Sequence, residues 1–183
     1  MLNIGYNSQR NNPAVQGLSP HVQCFATSAW MFLSFYAPEK YPYNNDELLS
    51  YYIMDVIRNG KDKEFEWKDQ AEMIQKYLDA AGVQKKVQLA IDLNTGKGKL
   101  KIDELETILK TDPVIVGTKK MGGLPGGHII LAKGAVTDRV ICCNDPYGNA
   151  NCNYSSTDGN GVLYQYQMFD KNDPENIRGI YAK

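Results

Sequence analysis

The sequence predicts an α+β protein, a helical first half packed on an antiparallel sheet formed by the second half. Three observations predict it. Apolar residues recur at helical spacing up to about Lys110. Beyond that point the pattern breaks into short β-branched or aromatic runs separated by Gly, Pro, Asn and Asp. The composition, 43% hydrophobic and 22% charged over 183 residues, is that of a chain with a core to bury. A domain takes roughly 150 residues, so one domain over 1–183 is expected.

The elements follow in order. Residues 1–23, rich in Asn, Gln, Pro and Gly, read as a looping entry segment. From Cys24 to Tyr36 the chain has almost no polar face, which predicts a buried helix ended before Pro38. Asn44 or Asn45 is placed to cap a second helix carrying Leu48, Leu49, Tyr52, Ile53, Val56 and Ile57, closing near Asn59-Gly60. Trp67, Ala71, Ile74, Tyr77, Leu78 and Ala81 predict a third, closed by Gly82. A short fourth runs from Ile102 to Lys110. Strands are predicted at Val114–Val116, His128–Leu131, Arg139–Cys142 and Val162–Met168. Turn signals at Met121-Gly122-Gly123, Pro125-Gly126-Gly127, Asp145–Gly148 and Asp158–Gly161 bound them.

Charge narrows the function. Twenty Lys+Arg against 21 Asp+Glu give a net charge of -1, which argues against a general nucleic-acid binder. No apolar run is long enough to span a membrane, and the N-terminus lacks the features of a signal peptide. Synthesis in the cytoplasm, with release to a cell wall or export by another route, is the expectation. Charge is also uneven. From Met1 to Pro38 only Arg10 is charged, and from Arg139 to Thr157 only Arg139 and Asp145. These charge-poor zones carry all four cysteines and are expected to meet in the core or around a cleft.

Three residues carry chemistry. Cys24 starts an apolar helix, where unpaired N–H groups and the positive end of the helix dipole favour a thiolate. A buried, inert thiol is the competing reading. His128 opens a strand after two glycines that leave room beside its ring; a hydrogen-bonded structural histidine is the alternative. Asp145 follows the next strand, and a hairpin would bring it to His128, although an Asx turn before Pro146 also explains it. Nucleophile, base and orienting carboxylate in that order suit a cysteine hydrolase.

The same residues resemble a known family. Tyr6, Gln9 and Asn12, then Cys24, Thr27, Ser28 and Met31, are similar to the Tyr-x-x-Gln-x-x-Asn and Cys-x-x-Thr-Ser-x-x-Met elements of the C39-like branch of papain-fold cysteine peptidases. Pro113–Gly117, Gly127–Leu131 and Asn144-Asp145-Pro146-Tyr147-Gly148 resemble that branch's later strands and turn, so the likeness runs from Tyr6 to Met168. It implies a papain-like fold, Cys24 as nucleophile, His128 as base, Asp145 orienting His128, and Gln9 donating to the oxyanion. Gln16 and Gln23 are rivals for that last role. Many relatives carry Gly-Pro after the cysteine; Phe25-Ala26 stands here, and the bulkier Phe25 is expected to narrow the cleft.

No cofactor and no metal are expected. Cys142, Cys143 and Cys152 lack zinc-ligand spacing and are expected to be free, a bridge from Cys142 or Cys143 to Cys152 being the alternative in an oxidising compartment. Asp158–Gly161 reads as a hairpin turn rather than a calcium loop. His21 reads as a surface loop histidine, the tyrosines at 36, 41, 43, 51 and 52 as packing between helices, and Lys97-Gly98-Lys99 as a plain loop. The expected function is a monomeric cysteine endopeptidase acting on peptidoglycan stem peptides, as in compact phage-type lytic enzymes. A protease acting on a protein or leader peptide is the alternative, and a non-catalytic peptide-binding module the reading from another class.

Overall fold

The computed structural model describes residues 1–59, 66–118, 127–169 and 176–183. The turn signals at Gly60, Met121-Gly122-Gly123 and Pro125-Gly126 lie outside them. Four α-helices are present among the described residues: α1 (Cys24–Tyr36), α2 (Asp46–Asn59), α3 (Trp67–Ala80) and α4 (Ile102–Ile108). The strands are β1 (Val87–Ala90), β2 (Leu100–Lys101), β3 (Val114–Thr118), β4 (His128–Thr137), β5 (Val140–Asn144), β6 (Val162–Gln165), β7 (Asn176–Ile177) and β8 (Gly179–Ala182). Six form one sheet in the order β1-β8-β3-β4-β5-β6, and β2 pairs with β7. Every pairing is antiparallel.

Local chemistry sets the helix ends. The Asn45 side chain accepts the N–H of Leu48 at 2.9 Å, so Asn45 and not Asn44 caps α2. Past α3, Gly82 adopts φ +73, and Gly82 N and Val83 N bond the carbonyls of Asp79 and Leu78. That is a Schellman closure, which favours a residue without a Cβ at the left-handed position.

Ten consecutive residues of α1, Phe25 to Ser34, are buried. The helix is wrapped by α2, α3 and one face of the sheet, where Ile115, Leu131 and Ile180 point. The alternate residues Val114, Val116, Ile130 and Ala132 point the other way, into a second core with Leu105, Leu109, Tyr164 and Phe169. This is the two-residue period of a strand buried on both faces. Tyr41 and Tyr52 pack against Trp30 with ring centroids 5.5 and 6.1 Å away, inside the helical core as expected, whereas Tyr43 and Tyr51 of the same group are exposed.

The structure corrects two expectations. The run Val162–Met168 is a strand only to Gln165, where the chain turns into a short 3-10 helix, Tyr166–Met168, whose first N–H bonds Arg139 O. The division into helices first and strands second is also too simple. β1 and β2 lie between α3 and α4, and β8 sits between β1 and β3 within the sheet. These strands have at most four residues each, and β1 is half-buried over three of its four.

Candidate active site

The β4–β5 hairpin does what the sequence predicts. Leu131 pairs with Asn144, and the same register carried onward sets the 145–147 turn beside His128. His128 Nε2 lies 2.6 Å from Asp145 Oδ1, with His128 2% exposed and Asp145 fully buried. A different element delivers Cys24. It is the first residue of α1 and half-exposed, entered through the 3-10 turn Pro20–Val22. One helical turn on, Ser28 Oγ donates to the carbonyl of Ile129, the residue after His128. That bond fixes the start of α1 against the start of β4.

The electrostatics follow from burial and these partners. Burial by itself favours the neutral imidazole of His128. The Asp145 carboxylate, hydrogen-bonded to the ring, and then the nearby Cys24 sulfur outweigh it and raise the pKa from 6.5 to about 10. With Nε2 committed to Asp145, Nδ1 is the nitrogen left to face Cys24.

Asp145 is held from all sides. Its Oδ1 also accepts the N–H of Tyr147 at 2.8 Å, and its Oδ2 accepts the hydroxyls of Tyr164 at 2.5 Å and Tyr154 at 3.4 Å. A buried carboxylate keeps its charge only when its lone pairs are used in this way. Burial, and then the negative charge of Asp145, push the Tyr154 and Tyr164 hydroxyls far above the usual tyrosine range, so both remain donors. The rings of Tyr147 and Tyr154 stand edge-on to the imidazole, centroids 6.3 and 6.2 Å away. The Asx turn weighed against a catalytic Asp145 is therefore present as well, because one carboxylate serves both His128 and the Tyr147 N–H.

The Asp158–Gly161 turn packs beneath Asp145. The Asp145 N–H bonds Gly159 O at 2.9 Å, and a Cβ on Gly159 would fall 1.9 Å from Asp145 O. Within the turn the Asn160 N–H bonds the Asp158 carboxylate. Lys133, on β4, donates to Asn160 Oδ1 at 2.7 Å. No cluster of metal-ligating side chains is found among the described residues.

The three glutamines separate clearly. Gln23 donates to the carbonyls of Pro13 and Leu18 while its oxygen accepts from Asn12, so its amide is consumed in holding the entry segment. Gln16 is exposed at φ +50 in a tight turn with Gly17. Gln9 is fully buried; Nε2 donates to Pro20 O at 2.8 Å, and one amide hydrogen remains.

The entry segment is tied at both ends of the site. The Tyr6 hydroxyl lies 3.0 Å from Asp145 O, the Gln9 N–H bonds Pro146 O, and Asn12 Nδ2 reaches Thr27 at 3.0 Å. His21 is exposed, as expected, with Nδ1 3.1 Å from the Tyr147 hydroxyl. Arg10 lies over the Tyr147 ring at 4.3 Å and donates to Tyr154 O. Phe25 does not line an open cleft. It is 4% exposed and packs edge-on against Trp67 at 4.8 Å, so its bulk goes into the core. The four cysteines are free thiols, with Cys142 and Cys143 buried.

Sequence reasoning missed Tyr154 and Tyr164. Nothing local marks them, since Tyr164 is one alternating residue of a strand brought to Asp145 by the β5–β6 pairing, and Tyr154 lies in the connection between those strands.

A family model, the Peptidase_C39 like family, matches residues 1–173. The chain belongs to this family. Membership makes it a cysteine peptidase domain in general terms, and its α+β architecture agrees with a papain-like fold. No curated protein matches the chain.

Proposed function

We propose that the protein hydrolyses an amide bond by thiol catalysis, with Cys24 as nucleophile, His128 as base and then acid, and Asp145 holding His128 in place. The observation that carries this reading is the imidazole buried between a saturated carboxylate and a half-exposed cysteine at a helix N-terminus. Cys24 gives its thiol proton to His128 and becomes the thiolate. The thiolate attacks the carbonyl carbon. The oxygen, now negative, takes hydrogen bonds from the Cys24 N–H and the free amide hydrogen of Gln9. His128 gives its proton to the leaving amine, and a thioester remains on Cys24. Water, losing a proton to His128, then attacks the thioester and frees the thiolate.

For the substrate we propose a peptidoglycan stem peptide, cut in a lytic role by a monomeric enzyme of one domain. The likeness to phage-type members of the C39-like branch supports it. Two assays separate the readings. The pH dependence of alkylation at Cys24, located by peptide mapping, tests the site: rapid labelling at about pH 5–6, lost in His128→Ala, is expected, whereas an ordinary thiol titrates near pH 8.5. Slow labelling indifferent to His128 sinks the catalytic reading in favour of a peptide-binding module. Release of new amino groups from purified cell walls, absent in Cys24→Ala, tests the substrate. Silent walls with cleaved protein substrates point instead to a protease.

A further inference from the structure

On the helical side of the site lies a cation that the proposed chemistry does not use. Arg178 sits between β7 and β8, and its carbonyl accepts the Gly117 N–H at 3.0 Å. Its side chain is half-buried, and Nε is shut off from solvent with no hydrogen-bond partner among the described residues. One Nη reaches Thr118 O at a long 3.4 Å, and the guanidinium lies 6.0 Å from the centre of the Trp67 ring. None of the ion pairs among the described residues gives it a carboxylate. A half-buried guanidinium whose Nε–H has no acceptor is costly, and a planar anion satisfies it best.

Its surroundings lead to the reactive pair. Trp67 packs on Phe25, the residue after Cys24. Thr118 is the register partner of His128, and its hydroxyl donates to His128 O. Glycines border the space between. A Cβ on Gly117 would meet Trp67 at 2.9 Å and Arg178 Nε at 3.2 Å, and one on Gly127 would meet Arg178 Nη2 at 3.8 Å. These two residues thus put no side-chain bulk between the guanidinium and the strand that starts at His128.

We propose that Arg178, backed by Trp67, is a specificity-determining residue that binds a carboxylate of the peptide substrate close to the scissile bond. This deepens the peptidase reading and rests on it. The ligand class is a peptide with a free carboxylate within a few residues of the bond cut. The aliphatic part of that residue lies on Trp67, and its carboxylate meets the guanidinium as a counter-ion.

The test needs no knowledge of the natural substrate. Bromoacetyl tripeptides alkylate a reactive thiol, and matched reagents carry Glu or Gln at the first, second or third residue. Labelling of Cys24 in the intact protein is the readout. At one of the three positions the Glu reagent is expected to react about five- to tenfold faster than its Gln twin, with the ratio shrinking as salt rises. In Arg178→Gln the ratio falls to about one, in Arg178→Glu it inverts, and in Arg178→Lys much of it survives. Brisk labelling of wild type with a ratio near one at all three positions overturns the inference and leaves the peptidase reading standing. A ratio that persists in Arg178→Gln overturns it too, and assigns the preference to another cation such as Arg10. A Cys24 that no reagent labels overturns the peptidase reading, and the inference with it. If Arg178→Gln fails to fold, Arg178→Lys takes its place, and a ratio unmoved in it under rising salt overturns the inference in the same way.

Discussion

At the scale of single residues, the site depends on one carboxylate whose four hydrogen-bonding neighbours all come from loops or neighbouring strands. Tyr164 illustrates the consequence. Its hydroxyl donates to Asp145 Oδ2, so Tyr164→Phe removes one charge-assisted bond with little change in packing volume. A loss of about 2 kcal/mol in stability is expected, read from denaturant unfolding. A larger fall in kcat than in KM is expected alongside, because the group acts on the proton balance of His128 and touches no substrate. An unchanged kcat and an unchanged pH profile would contradict that positioning role. Gly159 makes a sharper case. A methyl group there drives into the Asp145 carbonyl, so Gly159→Ala should displace the carboxylate. A misplacement near ~1 Å costs on the order of 100-fold in rate, and the loss should appear in single-turnover acylation with the native fold retained by circular dichroism.

At the scale of elements, the proposed catalysis depends on how firmly the start of α1 meets the start of β4. Ser28 is the strut between them. Ser28→Ala is expected to cost about 1 kcal/mol in stability and to slow Cys24 alkylation near neutral pH, because the thiol drifts from His128. Equal labelling rates in variant and wild type would show that core packing alone holds the register. Asn12→Ala belongs to the same scale. It leaves the Gln23 oxygen buried without its Asn12 donor and loosens the entry segment that carries Gln9. On the role proposed for Gln9, the variant's acylation rate should fall more than its thiol labelling rate, since the oxyanion would lose a donor and the thiol would not.

At the scale of the whole molecule, the His128–Asp145 pair joins the start of β4 to the turn after β5 and links folding to pH. The folded pKa of His128 is raised to about 10, chiefly by Asp145 against burial, while the unfolded value lies near 6.5. Protonated His128 therefore adds stability in full below about pH 6.5, and the contribution drains away as pH rises toward 10. Thermal melts from about pH 6 to 10 should show wild type losing Tm across that window, and His128→Gln should show a flatter curve. Parallel curves would mean that the pair is not ionised in the folded protein. A groove of about 540 Å³ lies between α4 and β8, lined by neither Cys24 nor His128.

How much was legible follows from the range of each interaction. Helical spacing and turn residues are local, so α1, α2 and α3 and the β4–β5 hairpin can be read along the chain, and the cap of α2 can be narrowed to Asn44 or Asn45. The places of Cys24, His128 and Asp145 at element boundaries are also legible, and their catalytic roles belong to the proposal above. Short strands such as β7 and β8 are not. Their stability comes from partners far away in the chain, as in the pairing of Ile115 with Ile180. Which glutamine keeps a spare amide hydrogen likewise turns on which carbonyls each amide meets. The sequence by itself determined the helices, the hairpin and the side chains proposed to react, all of which rest on neighbours in the chain. Only the tertiary structure decided that three tyrosines close around Asp145 and that Arg178 stands near the site with no carboxylate partner among the described residues. Burial and hydrogen-bond pairing of that kind exist only between segments brought together by the fold.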